Sequence, residues 1–350
     1  MDILRQLDRA PVLNTSVTLL VPLALLAALT ALSGDLLLER IVTAMFIHLI
    51  VVTGLQMFMG NSGIVSFAHI GFMGIGAYAT VLFSLDPEVK AMTLRHLYEF
   101  LKPVHLPFWA ALLFGTGIGT VVAAIISYPL MRLHDAAAVI TSFAVLVALH
   151  DIMVHWTEVT NGPRTLFGVE RETFLWNSAL CAMIGLVFAT WFRESKVGLQ
   201  LRASRDDRMA AQAVGINMVT VRWLGFVLMC GYAAFAGGLF AHFITSFQPR
   251  QFYLAEVFVV LAMLVIGGPG SVSGAVVGTV LVTALREGLR VGEAQLNIMQ
   301  IFGGQVVGLP EFLLAISIIA ILIFRPAGLM RGRELRLPLG RATAAPRRRR

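Results

Sequence analysis

The sequence predicts an all-α, polytopic membrane protein of about ten transmembrane helices, several of them broken by glycine. Three observations carry that prediction. The 350 residues are 57% hydrophobic and only 13% charged, with a mean hydropathy of +0.81, whereas soluble domains are about one quarter charged. The apolar residues fall in blocks of roughly 20, the length a bilayer core demands of a helix. Within each block they run on without the apolar–polar alternation of a transmembrane barrel.

Taken in order, the chain opens with a short polar segment, Met1 to Ser16, carrying Arg5 and Arg9. Val17 to Ser33 is the first span; no clear small-residue cleavage site follows it, so it reads as a retained helix rather than a leader. Ile41 to Met59 is the second. The Gly60-Asn61-Ser62-Gly63 break then introduces the third, Ile64 to Ser84. A polar loop, Asp86 to Pro107, leads to the fourth and fifth spans, Phe108–Tyr128 and Ala136–Trp156. After the loop Thr157–Leu175 comes the sixth, Trp176–Phe192.

The long polar stretch Glu194–Asn217 interrupts the apolar pattern. Its helix is expected over 196–217, with Gly198 and Gly215 as brackets and Gly215 placed to cap its C-terminus. Trp223–Phe247 and Ala255–Ile266 are the seventh and eighth spans, the latter ended by Gly267-Gly268-Pro269-Gly270. The ninth is Val272–Leu285; a mixed segment, Arg286–Leu309, separates it from the tenth, Pro310–Phe324. Residues 1–330 thus form the transmembrane domain, and 331–350 a basic tail whose composition favours disorder.

Ten spans leave both termini on one side. With that side inside, inner segments hold 18 lysines and arginines and outer ones 9. The positive-inside rule therefore puts both termini and the polar stretch in the cytoplasm of a cell whose inner membrane carries the chain. Without the tail the count is nine against nine, and the cluster from Arg193 to Arg222 decides the orientation. The net charge of +7 is explained by this asymmetry and implies no nucleic-acid partner; the lipid bilayer is the partner it requires. Cys181 and Cys230 lie singly inside apolar spans and read as small core residues, with no metal or disulfide role.

Ion-coupled transporters carry carboxylates deep in their spans. Here Asp151 lies near an outer end, and Glu256, Glu287 and Glu311 stand at span boundaries. No phosphate-cradling GxxxxGK[ST] loop occurs, so nucleotide hydrolysis by this chain is not expected. The Phe302-Gly303-Gly304-Gln305 fragment falls outside the membrane on this topology. The chain is not an enzyme and binds no cofactor of its own; it works passively or takes energy from another subunit.

The polar stretch offers the means. Arg202, Arg205, Asp206 and Asp207 give it a charged face, while Ala210, Ala211 and Gly215 form a small-residue core with a permissive exit. An ordinary solvated amphipathic helix fits the same residues. The glycine runs are the other signal. Gly60, Gly63, Ser66, Ala68, Gly71 and Ala77 recur 207 residues later as Gly267, Gly270, Ser273, Ala275, Gly278 and Ala284. Broken helices of this kind free backbone N–H groups and a positive helix end that suits a carboxylate. Asn61, Ser62, Ser66, His69, Gly267, Gly270 and Ser273 are therefore the candidate lining of a path. Gly71, Gly74 and Gly76 also serve close helix packing, and His69 equally serves an interhelical hydrogen bond.

The run from Gly60 to Tyr78 resembles the signature of branched-chain amino-acid ABC permeases. So, in the same order, do Ala210-Ala211-Gln212-Ala213-Val214-Gly215-Ile216-Asn217, Ala236-Gly237-Gly238-Leu239, the run Val265–Gly274, and Phe324-Arg325-Pro326-Ala327-Gly328-Leu329. The resemblance covers about residues 40 to 330 and looks like the LivM-type subunit of that system. The chain departs from it at Met209, where the family's docking loop often has Glu. The resemblance implies an ABC importer permease fold and uptake of branched-chain or related amino acids. It also implies ATPase subunits that hydrolyse ATP, a second homologous permease subunit and a periplasmic solute-binding protein. Arg202 to Gly215 would be the ATPase-coupling segment. Loops Asp86–Pro107, Thr157–Leu175 and Arg286–Leu309 would receive the binding protein. Urea and amide importers share the pattern, and a passive urea-type channel is the alternative without an ATPase.

Overall fold

The structure is a computed structural model and describes residues 11–298, 308–325 and 327–335. Among these residues the elements are helical, with one isolated bridge, Leu166 to Phe247. In chain order the helices used below are α1 Pro11–Ser33, α2 Leu36–Leu55, α3 His69–Ser84, α4 Phe108–Leu130, α5 Asp135–His155 and α6 Leu175–Glu194. They continue with α7 Lys196–Asp206, α8 Arg208–Ala213, α9 Met218–Ile244, α10 Leu254–Gly267, α11 Val272–Ile298 and α12 Leu309–Phe324. Eight helical stretches among the described residues are long and apolar enough to cross a membrane. α3 and α12, of 16 residues each, are shorter. Residues 1–10, with Arg5 and Arg9, the Phe302–Gln305 fragment and residues 336–350 of the tail lie outside the described residues.

Expected and observed spans agree closely, with three differences of physical interest. The second span runs to Gly60 by adding a π-turn, Gln56–Gly60, to the end of α2. The third begins at His69, not Ile64: Gly63 takes a left-handed conformation (φ +76°) and the chain from 63 to 68 stays non-helical. α3 alone is about 24 Å long, short of the roughly 30 Å of a bilayer core. Irregular backbone at that depth is tolerable only inside protein, and Asn61, Ser62, Ile64, Ser66 and Ala68 are all buried. The ninth span is longer than expected. α11 continues through Arg286 and Arg290 to Ile298, so the first part of the expected 286–309 docking loop is helix.

The core sits where α2, α3 and α9 meet, and small residues let them approach. A Cβ at Gly76 would collide with the backbone of Ala234, and one at Gly237 with the Met73 carbonyl. Gly71 and Gly74 instead face Leu149 and Met153 of α5. Close approach of this kind replaces the hydrophobic drive that lipid cannot supply. Cys230 is fully buried in this core and Cys181 partly buried; both are free thiols. α1, α4, α5 and α6 surround the core and expose apolar side chains such as Leu29, Leu113, Ile140 and Ile184 outward, as lipid-facing helices do.

At one end, away from the polar stretch, the loop 86–107 folds back. The Leu106 N–H donates to the Phe83 carbonyl (2.8 Å), and the covered Lys90 ammonium donates to the Val104 carbonyl. Burial holds that amine below its ordinary pKa, against the pull of Asp86 in the other direction. Gly168 of the loop after α5 packs on Val89, so the two loops expected to receive a partner are neighbours.

Candidate functional site

The polar stretch is two helices, not one. Asp207 ends α7 in an extended conformation and starts α8 by accepting a hydrogen bond from the Ala210 N–H (3.0 Å). A side chain that hydrogen-bonds its own backbone breaks a helix as readily as it caps one. α7 itself starts on Ser195, whose hydroxyl accepts from the Gly198 N–H (3.3 Å). Gly215 closes α8 as expected. Its φ is +84°, its N–H donates to the Gln212 carbonyl, and the Ile216 N–H donates to the Ala211 carbonyl. That pair of bonds is a Schellman cap.

α8 divides its small residues between two faces. Ala211 is buried, whereas Ala210, Met209 and Val214 are exposed, the last two to 76% and 77%. The outward surface of α8 is therefore apolar, while Asp206 and Asp207 flank it in solvent. Ala211 belongs to the packed side. Arg208 and Arg222 both reach Asp135 at the start of α5, at 3.8 and 2.8 Å, and so fasten α8 and α9 to the bundle. Arg202 turns back to the Arg193 carbonyl (2.8 Å) and Glu194 (3.9 Å).

Arg205, itself exposed, reaches the other way, across to the end of the bundle. Its guanidinium donates to the carbonyl of Gly60 (2.7 Å), and its stem lies on Gly63. The π-turn explains the free acceptor: a helix that unwinds leaves carbonyls without an internal partner. The Gly60 site is also occupied from the second glycine run, since a Cβ there would collide with the Pro269 carbonyl. The two glycine breaks that repeat in sequence thus lie against each other at the polar-helix end, and Arg205 reaches the first of them.

The second break is closed by a residue the sequence reading assigned to the tail. Glu334 accepts hydrogen bonds from the Val272 and Ser273 N–H groups, both 2.9 Å, and from the Ser273 hydroxyl (2.5 Å). It also pairs with Arg193 at the end of α6. A carboxylate on the first amides of a helix is the arrangement expected of a glycine-broken span, and here the chain supplies its own. Leu329 and Met330 donate to the carbonyls of Ile266 and Gly267, each 3.0 Å, which lays 327–335 along the break beside Gly270.

Of the remaining expected path residues, Asn61 donates to the Met57 carbonyl (2.9 Å) and Ser62 accepts from the Ile64 N–H (3.2 Å). Ser66 and His69 lie deeper. The His69 ring shares a 3.1 Å hydrogen bond with the Ser66 carbonyl through Nδ1, while its Nε2 and the Ser66 hydroxyl are buried without a partner among the described residues. Such groups are costly unless something meets them. His48 of α2 sits higher, with Nε2 at 2.5 Å from Glu256, and Glu256 is in electrostatic reach of His69 and Arg286. The span-boundary position of Glu256 therefore conceals a carboxylate turned onto the middle of α2. Sequence reasoning missed His48, Arg193 and Glu334. A lone imidazole inside an apolar helix and a lone acid in a basic tail were the available signals.

Comparison with known proteins gives a consistent result. The profile of the family described as "Branched-chain amino acid transport system / permease component" matches residues 37–323. The chain is 27% identical over 340 residues to the high-affinity branched-chain amino acid transport system permease protein LivM of Salmonella typhimurium, covering 86% of this chain and 72% of that protein. To its Escherichia coli counterpart it is 27% identical over 286 residues, covering 71% and 63%. A more distant relative, the nucleoside ABC transporter permease protein NupC of Lactococcus lactis, is 24% identical over 279 residues, covering 73% and 78%. No solved structure matches the chain.

Proposed function

This chain belongs to the family of branched-chain amino acid transport system permease components, and we propose that it is the LivM-type membrane subunit that carries a branched-chain or related aliphatic amino acid inward. It does so with ATPase subunits that hydrolyse ATP, a second homologous permease subunit and a solute-binding protein on the outer face. The termini and α7–α8 lie in the cytoplasm, the side that the cluster from Arg193 to Arg222 favours.

One observation carries the mechanism: Arg205 of the polar stretch is hydrogen-bonded to the Gly60 carbonyl, at the point where the two glycine breaks meet. A partner that seats on the exposed apolar face of α8 moves α7 with it, because Asp207 joins them through a single residue. Movement of α7 pulls on the Gly60 carbonyl at the end of the π-turn. The 61–69 segment, with Asn61, Ser62, Ser66 and His69, then shifts between the buried arrangement seen here and one that meets solute.

The test is Arg205→Leu in the assembled transporter, with Arg205→Lys beside it. Leucine uptake should fall at least tenfold while ATP hydrolysis by the complex persists, since coupling and not assembly is removed; lysine should restore part of the uptake. Uptake at the wild-type rate with leucine at 205 would refute the coupling role. Uptake by the chain alone in liposomes, without an ATPase, would refute the importer reading itself.

A further inference from the structure

A cavity of about 450 Å³ opens near the end of the bundle opposite α7–α8, between α2, α9, α10 and α11. Its chemistry is divided. Ile41, Met45, Phe243 and Met263 line it with apolar surface. Arg40, Arg286 and Arg290 supply three guanidinium groups against one lining carboxylate, Glu287. Glu287 is already engaged by Arg290, through hydrogen bonds of 2.5 to 3.0 Å. Arg286 lies within the field of Glu256. Arg40 is exposed and makes no ion pair among the described residues.

Position narrows the ligand. Arg40 stands 20 residues, about 30 Å of helix, above Gly60, and Arg286 stands 14 residues, about 21 Å, above Val272. The arginines therefore lie in the half of the membrane away from the polar stretch, Arg40 at its interface. The neighbouring Leu36, Leu37 and Leu38 are exposed beside Arg40, as residues facing acyl chains are. Guanidinium groups in a partly dehydrated site bind carboxylate or phosphate oxygens in bidentate fashion, and the apolar floor takes a hydrocarbon body.

We propose that this cavity binds an amphipathic ligand through an anionic group, with the ligand's carboxylate or phosphate on Arg40 and Arg286 and its aliphatic part on Ile41, Met45, Phe243 and Met263. Two sources carry that chemistry. One is the headgroup of an anionic phospholipid in the outer leaflet. The other is a free aliphatic amino acid on its way to His48, which also lines the cavity. The second source rests on the import reading; the first does not.

The experiment uses the full chain, delipidated in detergent and placed in phosphatidylcholine nanodiscs with or without phosphatidylglycerol. Lipid retained on the chain is read by native mass spectrometry, and L-leucine and inorganic phosphate are titrated separately. Wild type should hold one of the two amphipathic probes saturably. Arg40→Gln and Arg286→Gln should each weaken that binding about tenfold or more, the loss of one charge-assisted hydrogen bond, and Arg40→Lys should restore most of it. Retention of phosphatidylglycerol assigns the lipid; binding of leucine assigns a substrate vestibule. If neither probe binds the wild type, if the Gln variants bind as well as wild type, or if inorganic phosphate alone binds, the proposal is overturned. Loss of the ATPase partner would bear on the import reading and leave the lipid result standing.

Discussion

Replacing Glu334 with alanine removes the carboxylate that closes the second glycine break. Its side chain is 7% exposed and that of Arg193 14%, so the pair is only weakly screened. Glu334 also accepts from two backbone amides and one hydroxyl at the start of α11. Removing one member of a buried ion pair costs about 3–5 kcal/mol, because the other is left charged and unpartnered. Here the consequence is local: residues 327–335 are held along the break by Glu334 and by the Leu329 and Met330 amides. An opening free energy lowered by that much speeds hydrogen exchange by roughly two to four orders of magnitude. Exchange at Val272, Ser273, Leu329 and Met330, followed by mass spectrometry in nanodiscs, reads it directly. Glu334→Gln keeps an acceptor and loses the charge, and should fall between wild type and Glu334→Ala. Unchanged exchange at these four amides in Glu334→Ala would refute the argument that the carboxylate holds the segment.

Three further outcomes follow from the same structure. Met209→Lys and Val214→Lys should abolish recovery of the ATPase with the purified chain without affecting insertion, while Ala211→Ser, on the packed side, should leave recovery intact; equal loss in all three would place the docking surface elsewhere. Gly76→Val should cost more than the usual 1–3 kcal/mol of overpacking, because its Cβ meets Ala234 backbone rather than a movable side chain. Gly117→Val, with open space around it, should melt close to wild type in the same thermal assay. Lys90 gives a pH prediction: the folded state lowers its pKa, so between the folded and unfolded values the unfolded loop binds more protons and stability rises with pH. Protease cleavage within 86–107 should therefore slow as pH is raised towards the ordinary lysine value of 10.5, and Lys90→Met should flatten that dependence.

Most of the fold was legible because a bilayer leaves few ways to bury apolar blocks. Span ends at Ser33, Ser84 and Phe324 coincide with those read from sequence. The Gly215 cap was legible for a similar reason: few residues other than glycine tolerate its positive φ. What escaped was long-range pairing. Nothing local says that Arg205 reaches across to the Gly60 carbonyl while Arg202 folds back on α6, or that Ala210 and Ala211, adjacent in a small-residue motif, face opposite ways. Glu256 looks like an end residue because α10 starts beside it; only the packing of α10 on α2 puts it against His48. A single carboxylate among arginines in 331–336 reads as a solvated tail until the amides of Val272 and Ser273 are brought to it.

The placement of Arg193 and Arg205 gives the mechanism its physical content. Both lie in the segment that runs from the last turn of α6 to the end of α7, twelve residues apart. Arg205 holds the Gly60 carbonyl at the first break, and Arg193 holds Glu334 and through it the start of α11 at the second. The breaks are in turn in contact through Gly60 and Pro269. A rigid displacement of this segment therefore acts on both copies of the repeat together rather than on one helix. The two links differ in kind: one charged group holds a neutral carbonyl, while the other is an ion pair that binds a peptide strap. A guanidinium–carbonyl bond exchanged for water costs about 1.5–3 kcal/mol, less than the 3–5 kcal/mol of the buried pair. Under load the Arg205 link should yield first, freeing the 61–68 segment while α11 stays anchored. Hydrogen exchange on the nucleotide-loaded transporter would then show Gly63 to Ala68 deprotected and Val272–Ser273 still protected; the reverse order would contradict this division of roles.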